Sequence, residues 1–192
     1  MEKVLKSYLQ KLSHTGIGLE FISFPCRYGE FTIYCLVGPD NNLIHVAFTA
    51  RKHERAQRRL AALDDGVVFK TGQQKDFRYD MVFNGYFSGK TSNMPIETAS
   101  PFIDAGSAFQ QRVWNHISAI PYGETITYQR LAESAGSPKG ARAAGTACGA
   151  NPLPIIIPCH RVVAGNSIGG FGGGVAVKRS LLALENADNG CT

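Results

Sequence analysis

Strand-like segments are concentrated in the first half of this chain of 192 residues, and the second half is mostly helix-like. In the first half, residues 19–26, 31–37 and 43–48 are rich in β-branched and aromatic side chains, which predicts strands. Residues 39–42, Pro-Asp-Asn-Asn, fit a hairpin turn between the second and third of them. In the second half, apolar residues recur at the spacing of an α-helix. This segregation predicts an α+β fold, with a small antiparallel sheet in the first half and mostly helices in the second.

Residues 88–101 mark the boundary between the two halves. They carry glycine, serine and proline with little periodicity, which predicts a linker. The chain is therefore expected to form one domain over 1–100, including this linker, and a second over 101–192. The remaining elements predicted in the first domain are helices at 1–12, at 51–63 and near 77–87, and a short strand at 67–70. No pattern in this domain indicates chemistry.

Composition narrows the kinds of protein that this chain can be. Hydrophobic residues make up 44% of it, and no apolar run approaches the roughly 20 residues of a membrane span. Because the N-terminus lacks the apolar core of a signal peptide, we expect a cytoplasmic protein, or a nuclear one in a eukaryote. Five cysteines without a C-x-x-C pair argue against a disulfide framework and a zinc ribbon. A net charge of +5 permits a polyanionic partner, although the basic residues of 51–59 are expected to form a solvated helix face.

Three helices are predicted in the second half. The first covers 108–120, and the second covers 127–134 with its first residue as N-cap. Ser137 followed by Pro138 then predicts the N-cap and first helical position of a third helix, which ends near Gly149. Two helices joined by a short glycine-bearing turn form a helix-turn-helix motif.

The third of these helices consists largely of very small residues. Its sequence, K-G-A-R-A-A-G-T-A-C-G, includes interior glycines, each of which costs about 1 kcal/mol relative to alanine. Two explanations stay open: tight packing against a neighbouring helix, or close approach to nucleic acid. In the second case Arg142 is the one long probe, and so thin a helix suits the narrow minor groove rather than the major groove.

A cysteine with two basic neighbours follows an apolar segment later in the chain. Residues 155–162 read I-I-I-P-C-H-R-V. Thiolate is the reactive form of cysteine, and a basic neighbour or a helix N-terminus lowers the pKa of a thiol. Cys159 has His160 and Arg161 beside it, and Pro158 fits the entry to a helix. From the residues alone, Cys159 is either an activated nucleophile or a buried structural cysteine at the end of a strand.

The second half also resembles a known family over residues 102–185. The matching segments are F-Q-Q-R-V-W (109–114), I-P-Y-G-E-T-I-T-Y (120–128), A-R-A-A-G (141–145), N-P-L-P (151–154) and P-C-H-R-V-V (158–163). In this order and at these spacings they are similar to the O6-methylguanine-DNA methyltransferases, which are methylated-DNA–protein-cysteine methyltransferases. The resemblance implies a ribonuclease H-like α+β N-terminal domain and a C-terminal helix-turn-helix domain.

The resemblance implies DNA repair by direct reversal. The family flips an O6-alkylguanine out of the duplex and transfers its alkyl group to a cysteine, once per protein molecule. By this resemblance, Cys159 is the methyl acceptor, His160 is its base acting through a bound water, and Glu185 is the carboxylate that orients His160. Asn151 braces the turn that presents the cysteine loop, and Tyr128 supplies a phenol near the guanine. Such a series of carboxylate, imidazole and thiol is chemically suited to forming a thiolate.

The remaining residues implied by the resemblance form two groups. The DNA-binding group, in which the arginine is the finger that fills the gap left by the flipped nucleotide, comprises Thr127, Gln129, Ala141, Arg142 and Gly145. The pocket for the flipped base comprises Pro154, Val162, Phe171, Gly172 and Gly173. The implied partner is double-stranded DNA containing O6-alkylguanine, contacted through its minor groove by a monomer. Neither a metal nor a cofactor is implied.

One loop departs from the family pattern. Residues 169–174 read G-G-F-G-G-G, where the family commonly has an aromatic residue, a serine and two glycines. Phe171 stands where tyrosine is frequent, and Gly172 stands where the serine hydroxyl would be. We expect this loop to contact the base through backbone N–H groups and the face of Phe171.

Three other functions stay open at this point. An alkyltransferase-like module would bind the lesion without transfer, but such proteins lack the acceptor cysteine that Cys159 provides. A helix-turn-helix regulator would need a third helix that reads bases, and this one offers little beyond Arg142. A cysteine hydrolase would need an acyl-transfer motif, and the side chains of adjacent cysteine and histidine residues usually point apart.

Overall fold

The computed structural model describes residues 2–13, 19–25, 31–38, 42–63, 69–71, 80–88 and 100–185. Its helices are α1 (Glu2–Ser13), α2 (Ala50–Ala61), α3 (Asp80–Phe87), α4 (Pro101–Asp104), α5 (Ala108–Ser118), α6 (Tyr128–Ser134), α7 (Ala141–Gly149) and α8 (Val175–Leu184). Its strands are β1 (Leu19–Pro25), β2 (Thr32–Val37), β3 (Leu43–Ala47), β4 (Phe69–Thr71), β5 (Ile126–Thr127) and β6 (Val162–Val163). None of the described helices is long and apolar enough to span a membrane.

Strands β1 to β4 form one sheet in the order β3-β2-β1-β4. β2 pairs antiparallel with both β1 and β3, and its Cys35 lies opposite Val46 of β3. The three predicted strands and the small antiparallel sheet are confirmed. At the other edge, β4 pairs parallel with β1 and covers Phe69–Thr71 rather than the predicted 67–70. The first two residues of that prediction lie outside the described ranges, as do residues 39–41 of the predicted hairpin turn.

Among the described residues, the larger of two buried apolar clusters contains side chains from both halves of the chain. Its buried members include Ile33 and Val46 from the sheet, Phe83 and Tyr86 from α3, Trp114 and Ile117 from α5, and Leu181 from α8. Hydrogen bonds also join the halves, and in one of them Val46 N donates to Pro152 O at 2.8 Å. Ser100 Oγ, at the end of the predicted linker, donates to Ile44 O on β3 at 2.6 Å. The residues after Gly149 are thus attached directly to the edge strand β3.

The predicted linker over 88–101 is only partly described, because residues 89–99 lie outside the described ranges. Its last two residues, Ser100 and Pro101, are buried. Pro101 is the first residue of the short helix α4, so the linker ends earlier than predicted. Proline is tolerated at this position because the first N–H of a helix has no acceptor within the helix.

Helices α5, α6 and α7 frame the region around Cys159. Trp114 on α5 is buried and donates from Nε1 to Ala147 O on α7 at 2.9 Å. Helix α6 follows Thr127, whose Oγ1 accepts from Arg130 N at 3.1 Å. The predicted N-cap of this helix is therefore confirmed.

The predicted start of α7 is wrong. The helix covers Ala141–Gly149 with Gly140 as its N-cap, so the Ser137-Pro138 pair lies outside it. Gly140 N donates to Ser137 O at 2.8 Å, which closes a separate tight turn. The Ser-Pro pair belongs to this turn because the chain must reverse between α6 and α7 before the next helix can begin.

Candidate active site

Cys159 lies in the walls of two cavities. It is the first residue of a single 3-10 turn, Cys159–Arg161, and only 6% of it is exposed. One cavity, of about 420 Å³, is also lined by Tyr128, Gly145 and the loop residues 170–172, and we call it the Tyr128 cavity. The other, of about 400 Å³, lies between β3 and α2 on one side and α5 and α7 on the other, and we call it the interdomain cavity. Both volumes fall in the range typical of small-molecule pockets.

Burial dominates the pKa of the Cys159 thiol. It raises this pKa above the ordinary value because the thiolate loses its hydration. A hydrogen bond from Asn151 and the positive charges of Lys178 and Lys52 act in the opposite direction without reversing the shift. The Pro158 entry predicted to help is only the N-cap of a three-residue turn, which is too short for a helix dipole. The thiol therefore needs a base before it can react.

The basic neighbours of Cys159 belong to a buried cluster around Glu185. His160 Nε2 lies 2.8 Å from Glu185 Oε1, and Arg161 donates from Nε to Oε2 at 2.8 Å and from Nη2 to Oε1 at 2.9 Å. Burial alone would raise the pKa of Glu185, but the hydrogen bonds from His160 and Arg161 outweigh it and lower this pKa to about 2. The expectation that Arg161 acts on the thiol is wrong, because its guanidinium is committed to this carboxylate.

The imidazole of His160 is fully buried and neutral. Burial lowers its pKa, and the hydrogen bond and charge of Glu185 oppose this effect without overcoming it. Because Nε2 donates to the carboxylate, the ring proton resides on Nε2 and Nδ1 keeps a lone pair. Nδ1 is buried and has no hydrogen-bond partner among the described residues. This nitrogen is therefore the available base of the cluster.

A tyrosine from the first half completes the cluster. Tyr86 on α3 donates to Glu185 Oε1 at 2.5 Å, and its oxygen lies 3.3 Å from His160 Nε2. Burial and the charge of Glu185 raise the pKa of Tyr86, so the phenol stays protonated. The first half, in which no sequence pattern indicated chemistry, therefore contributes Tyr86 to this cluster. No sequence signal marks Tyr86, because a buried tyrosine in an apolar helix looks the same whatever its hydroxyl meets.

Asn151 holds the loop that precedes Cys159. Its Nδ2 donates to Ile157 O at 2.7 Å, and its Oδ1 accepts from Leu153 N at 3.0 Å. Within this loop Ile155 has φ 78°, which is costly for a β-branched residue. The two hydrogen bonds from one buried side chain hold the strained loop in a single conformation.

Tyr128 and Lys178 hold the loop that closes the Tyr128 cavity. Tyr128 Oη donates to Gly170 O at 3.2 Å, and Lys178 Nζ donates to the same oxygen at 3.2 Å and to Val162 O at 2.6 Å. Burial raises the pKa of Tyr128 to about 12, so its hydroxyl is a donor at neutral pH. Sequence reasoning missed Lys178. Its position on the apolar face of α8, three residues before the buried Leu181, was the available signal.

The predicted base-pocket residues divide between the two cavities. Phe171 and Gly172 line both, whereas Pro154 and Gly173 line the interdomain cavity. Val162 is fully buried and, among the described residues, is not part of either lining. Its carbonyl oxygen instead accepts a hydrogen bond from Lys178 Nζ on α8. Val162 therefore lies behind the pocket wall rather than in it.

The predicted DNA-contacting residues lie on α6, on α7 and just before α6. Arg142 is exposed, and Ala141 and Gly145 are half-buried. A Cβ on Gly149 would meet nothing within 4 Å, and one on Gly145 would meet only the Tyr128 ring at 3.8 Å. Packing within the protein therefore does not require glycine at these two positions of α7.

Thr127 and Gln129 have partners inside the protein. Thr127 caps α6, and Gln129 Nε2 donates to Glu133 Oε1 at 3.0 Å and to Pro138 O at 2.6 Å. Gln129 thus braces the turn between α6 and α7. Within the described ranges, no group of three or more histidine, cysteine, aspartate or glutamate side chains is placed to hold a metal ion.

Comparison with known proteins places this site in a family. The family model for the 6-O-methylguanine DNA methyltransferase DNA binding domain matches residues 108–187. The crystal structure of Mycobacterium tuberculosis O6-methylguanine methyltransferase is 31% identical in sequence, covers 89% of this chain and 93% of its own, and superimposes with a TM-score of 0.68. This chain belongs to the O6-methylguanine methyltransferase family. The family resemblance stated from the sequence is thereby confirmed.

Other family members match to a similar degree. A structure of Mycobacterium tuberculosis OGT in complex with DNA is 32% identical, covers 88% of this chain and 93% of its own, and gives a TM-score of 0.66. The methylated-DNA–protein-cysteine methyltransferase of Mycobacterium bovis is 46% identical over 106 residues, which are 54% of this chain. That match spans 61% of the Mycobacterium bovis protein, so this chain matches about three fifths of the length of its curated relatives.

Proposed function

We propose that this protein transfers the methyl group of O6-methylguanine in DNA to Cys159, once per molecule. The observation that carries the proposal is the buried Cys159 in the wall of the Tyr128 cavity, with the His160–Glu185 pair beside it. A thiol with a raised pKa is unreactive until a base removes its proton. His160 provides that base in a neutral form. The enzyme class is therefore a stoichiometric methylated-DNA–protein-cysteine methyltransferase.

The geometry suggests how the proton moves. The lone pair of His160 Nδ1 accepts the proton of the Cys159 thiol, through a bridging water, while Nε2 stays hydrogen-bonded to Glu185. The imidazolium that forms lies against a carboxylate whose pKa is about 2, so the charge is neutralised where it arises. Arg161 and Tyr86 hold that carboxylate in place.

The transfer itself is an in-line displacement. The thiolate sulfur forms a bond to the methyl carbon, the bond from this carbon to O6 breaks, and its electron pair remains on the guanine. A proton then restores neutral guanine, so the proton lost by Cys159 is balanced by one gained by the base. Tyr128, a protonated phenol in the same cavity, is suited to donate a hydrogen bond to the base as charge develops, once its hydroxyl turns away from Gly170 O. A thioether is a poor leaving group, which makes the reaction a single turnover.

We infer that the substrate base enters from duplex DNA bound along α6 and α7. A base in a stacked duplex is beyond the reach of a buried thiol, so it must be flipped out. Small residues at Ala141, Gly145 and Gly149 let the backbone of α7 approach the minor groove closely, and the exposed Arg142 can fill the vacated position. The helix pair then acts as a helix-turn-helix.

We also infer a ribonuclease H-like first half and a monomeric protein. The sheet supports the first inference, because an antiparallel meander carries a fourth strand parallel to its first. The second inference is supported by the cluster around Glu185, whose members all come from one chain, so no second copy is needed to complete the site.

Mass spectrometry tests the proposed transfer. After incubation with duplex containing O6-methylguanine, the peptide with Cys159 should gain one methyl group, and product should not exceed one equivalent of protein. Cys148→Ala is the matched control, because Cys148 is also a buried cysteine in the walls of both cavities. It should be methylated at Cys159 as the unmodified protein is, whereas Cys159→Ala should bind the duplex without transfer. Lesion binding by the unmodified protein with no methyl transfer would instead favour a binding module.

A further inference from the structure

Lys52 reaches from the first half of the chain to the boundary between the two cavities. It lies in the first turn of α2 and lines the interdomain cavity, and its Nζ donates to Gly149 O at 3.3 Å. On the other side it fills the space beside Gly172: a Cβ built on Gly172 would overlap Nζ and lie 3.2 Å from Cε. The ammonium therefore sits between the end of α7 and the glycine loop.

The ammonium of Lys52 acts on the reacting thiol. Its charge is one of the influences that lower the pKa of Cys159 against the effect of burial. Gly149, Cys159 and Gly172 line both cavities, so the ammonium is close to the wall that the two cavities share. Lys178, the other lysine that acts on this thiol, donates to two carbonyl oxygens behind the pocket.

The local structure of α2 does not account for a lysine at this position. Basic side chains in the first turn of a helix oppose the helix dipole, and the first turn of α2 contains no acidic residue. Contact with the carbonyl end of α7 offsets part of this cost. The contact with Gly149 O does not by itself require a glycine at residue 172. The loop nevertheless has glycine at the position next to the ammonium.

Lys52 and a side chain at residue 172 compete for the same space. The family loop commonly carries a serine at this position, whereas this chain has Gly172. The ammonium thus occupies the region that a serine hydroxyl would occupy, and both groups are hydrogen-bond donors. In this chain the lysine that reaches in from α2 and the glycine in the loop are therefore sterically complementary.

We propose that Lys52 is a substrate-contacting residue of the transfer site, whose ammonium donates a hydrogen bond to O6 of the flipped guanine. This inference rests on the proposed methyl transfer. When the sulfur attacks in line, O6 lies beyond the methyl carbon, on the far side from Cys159. As the bond from carbon to O6 breaks, its electron pair moves onto O6, and a charged donor there stabilises the transition state.

The test uses the free base O6-methylguanine, which removes DNA binding from the measurement. Lys52→Met keeps the aliphatic stem and should lower the first-order rate constant of methyl transfer on the order of 10- to 100-fold at saturating base. Arg58→Met is the matched control, because it removes one positive charge from the same helix at an exposed position paired with Glu54. It should stay within about twofold of the unmodified protein.

A second variant tests the shared space. Gly172→Ser in the Lys52→Met background should recover part of the lost rate, because the serine hydroxyl can occupy the vacated region. Gly172→Ser alone should slow transfer, because it displaces the ammonium. The loss of one positive charge near the thiol should also move the acidic limb of the rate profile of Lys52→Met to higher pH.

The outcomes separate this proposal from the proposed function. A Lys52→Met rate within about twofold of the unmodified protein would overturn it, and so would equal losses in Lys52→Met and Arg58→Met. A lowered melting temperature with an unchanged rate would show that Lys52 only joins the two halves. Absence of transfer in the unmodified protein would refute the methyltransferase function itself, which is a different result.

Discussion

Replacing Glu185 with glutamine tests the buried cluster behind Cys159. The carboxylate accepts hydrogen bonds from His160, from two nitrogens of Arg161, from Tyr86 and from Gly123 N at 3.2 Å. A glutamine of the same shape has one acceptor oxygen, and its amide group turns donor hydrogens toward a guanidinium that has only donors. At least one buried cation contact is therefore lost and cannot be rebuilt by rotating the side chain.

The expected cost is large relative to the stability of one domain. Removing one partner of a buried ion pair typically destabilises a protein by about 3–5 kcal/mol, against a total of about 5–15 kcal/mol. For a chain of this size the melting temperature should fall by about 10 °C. The same change should slow methyl transfer, because the proton on His160 Nε2 loses its carboxylate partner.

The loss of stability in Glu185→Gln should be smaller at low pH than at neutral pH. The pKa of Glu185 is lowered from 4.5 to about 2, so folding is favoured by its ionisation. This contribution, about 3 kcal/mol, is fully present above pH 5 and is lost as the pH falls through 2. The gap between the unmodified protein and Glu185→Gln should therefore narrow by about 2 kcal/mol between pH 7 and pH 3.

Urea unfolding at pH 7, 5 and 3 measures this gap. Glu54→Gln is the control, because Glu54 forms an exposed pair with Arg58 and should change stability by about 0.5 kcal/mol or less. A Glu185→Gln protein within about 1 kcal/mol of the unmodified protein at pH 7 would refute the role of Glu185 as the partner of the buried cation. A gap that stays constant down to pH 3 would refute the lowered pKa.

Three further substitutions probe separate contacts. Tyr86→Phe removes only the hydroxyl that meets Glu185, so urea unfolding should show a loss of about 1–2 kcal/mol, and an unchanged stability would contradict the contact. Asn151→Ala removes both hydrogen bonds that hold the loop with strained Ile155. It should cost about 2–3 kcal/mol and slow transfer even to the free base, and normal kinetics on that base would count against bracing. Arg142→Ala, at an exposed position, should reduce transfer from duplex DNA but not from the free base, and equal losses on both substrates would argue against a finger in the duplex.

Local patterns in the sequence were sufficient for most secondary structure. Alternating β-branched and aromatic residues predicted β1, β2 and β3, and Thr127 predicted the start of α6, because both signals depend only on nearby residues. The start of α7 was mispredicted from an equally local signal. Ser137-Pro138 can begin a helix or form part of a turn. It forms a turn here because the chain must reverse direction between α6 and α7.

The site shows the same difference between residues that are close in sequence and residues that meet only in the folded chain. Motifs around Cys159 led to the proposed nucleophile, its proposed base and Asn151, because these residues are close in sequence or belong to a specific motif. Tyr86 and Lys52 were missed, since they lie 74 residues before His160 and 97 residues before Gly149, the residues that they contact. Such contacts exist only after the first half has packed on the second.

The sequence by itself determined the family, and it led to the proposed acceptor thiol and to the types of groups placed around it. Only the tertiary structure decided which of those groups contact one another and in which direction their pKa values shift. Arg161, two residues after Cys159 in sequence, binds Glu185, and the thiol has a raised pKa rather than a lowered one. The physical reason is that a pKa depends on burial and on distances through space, and neither is fixed by the order of residues along the chain.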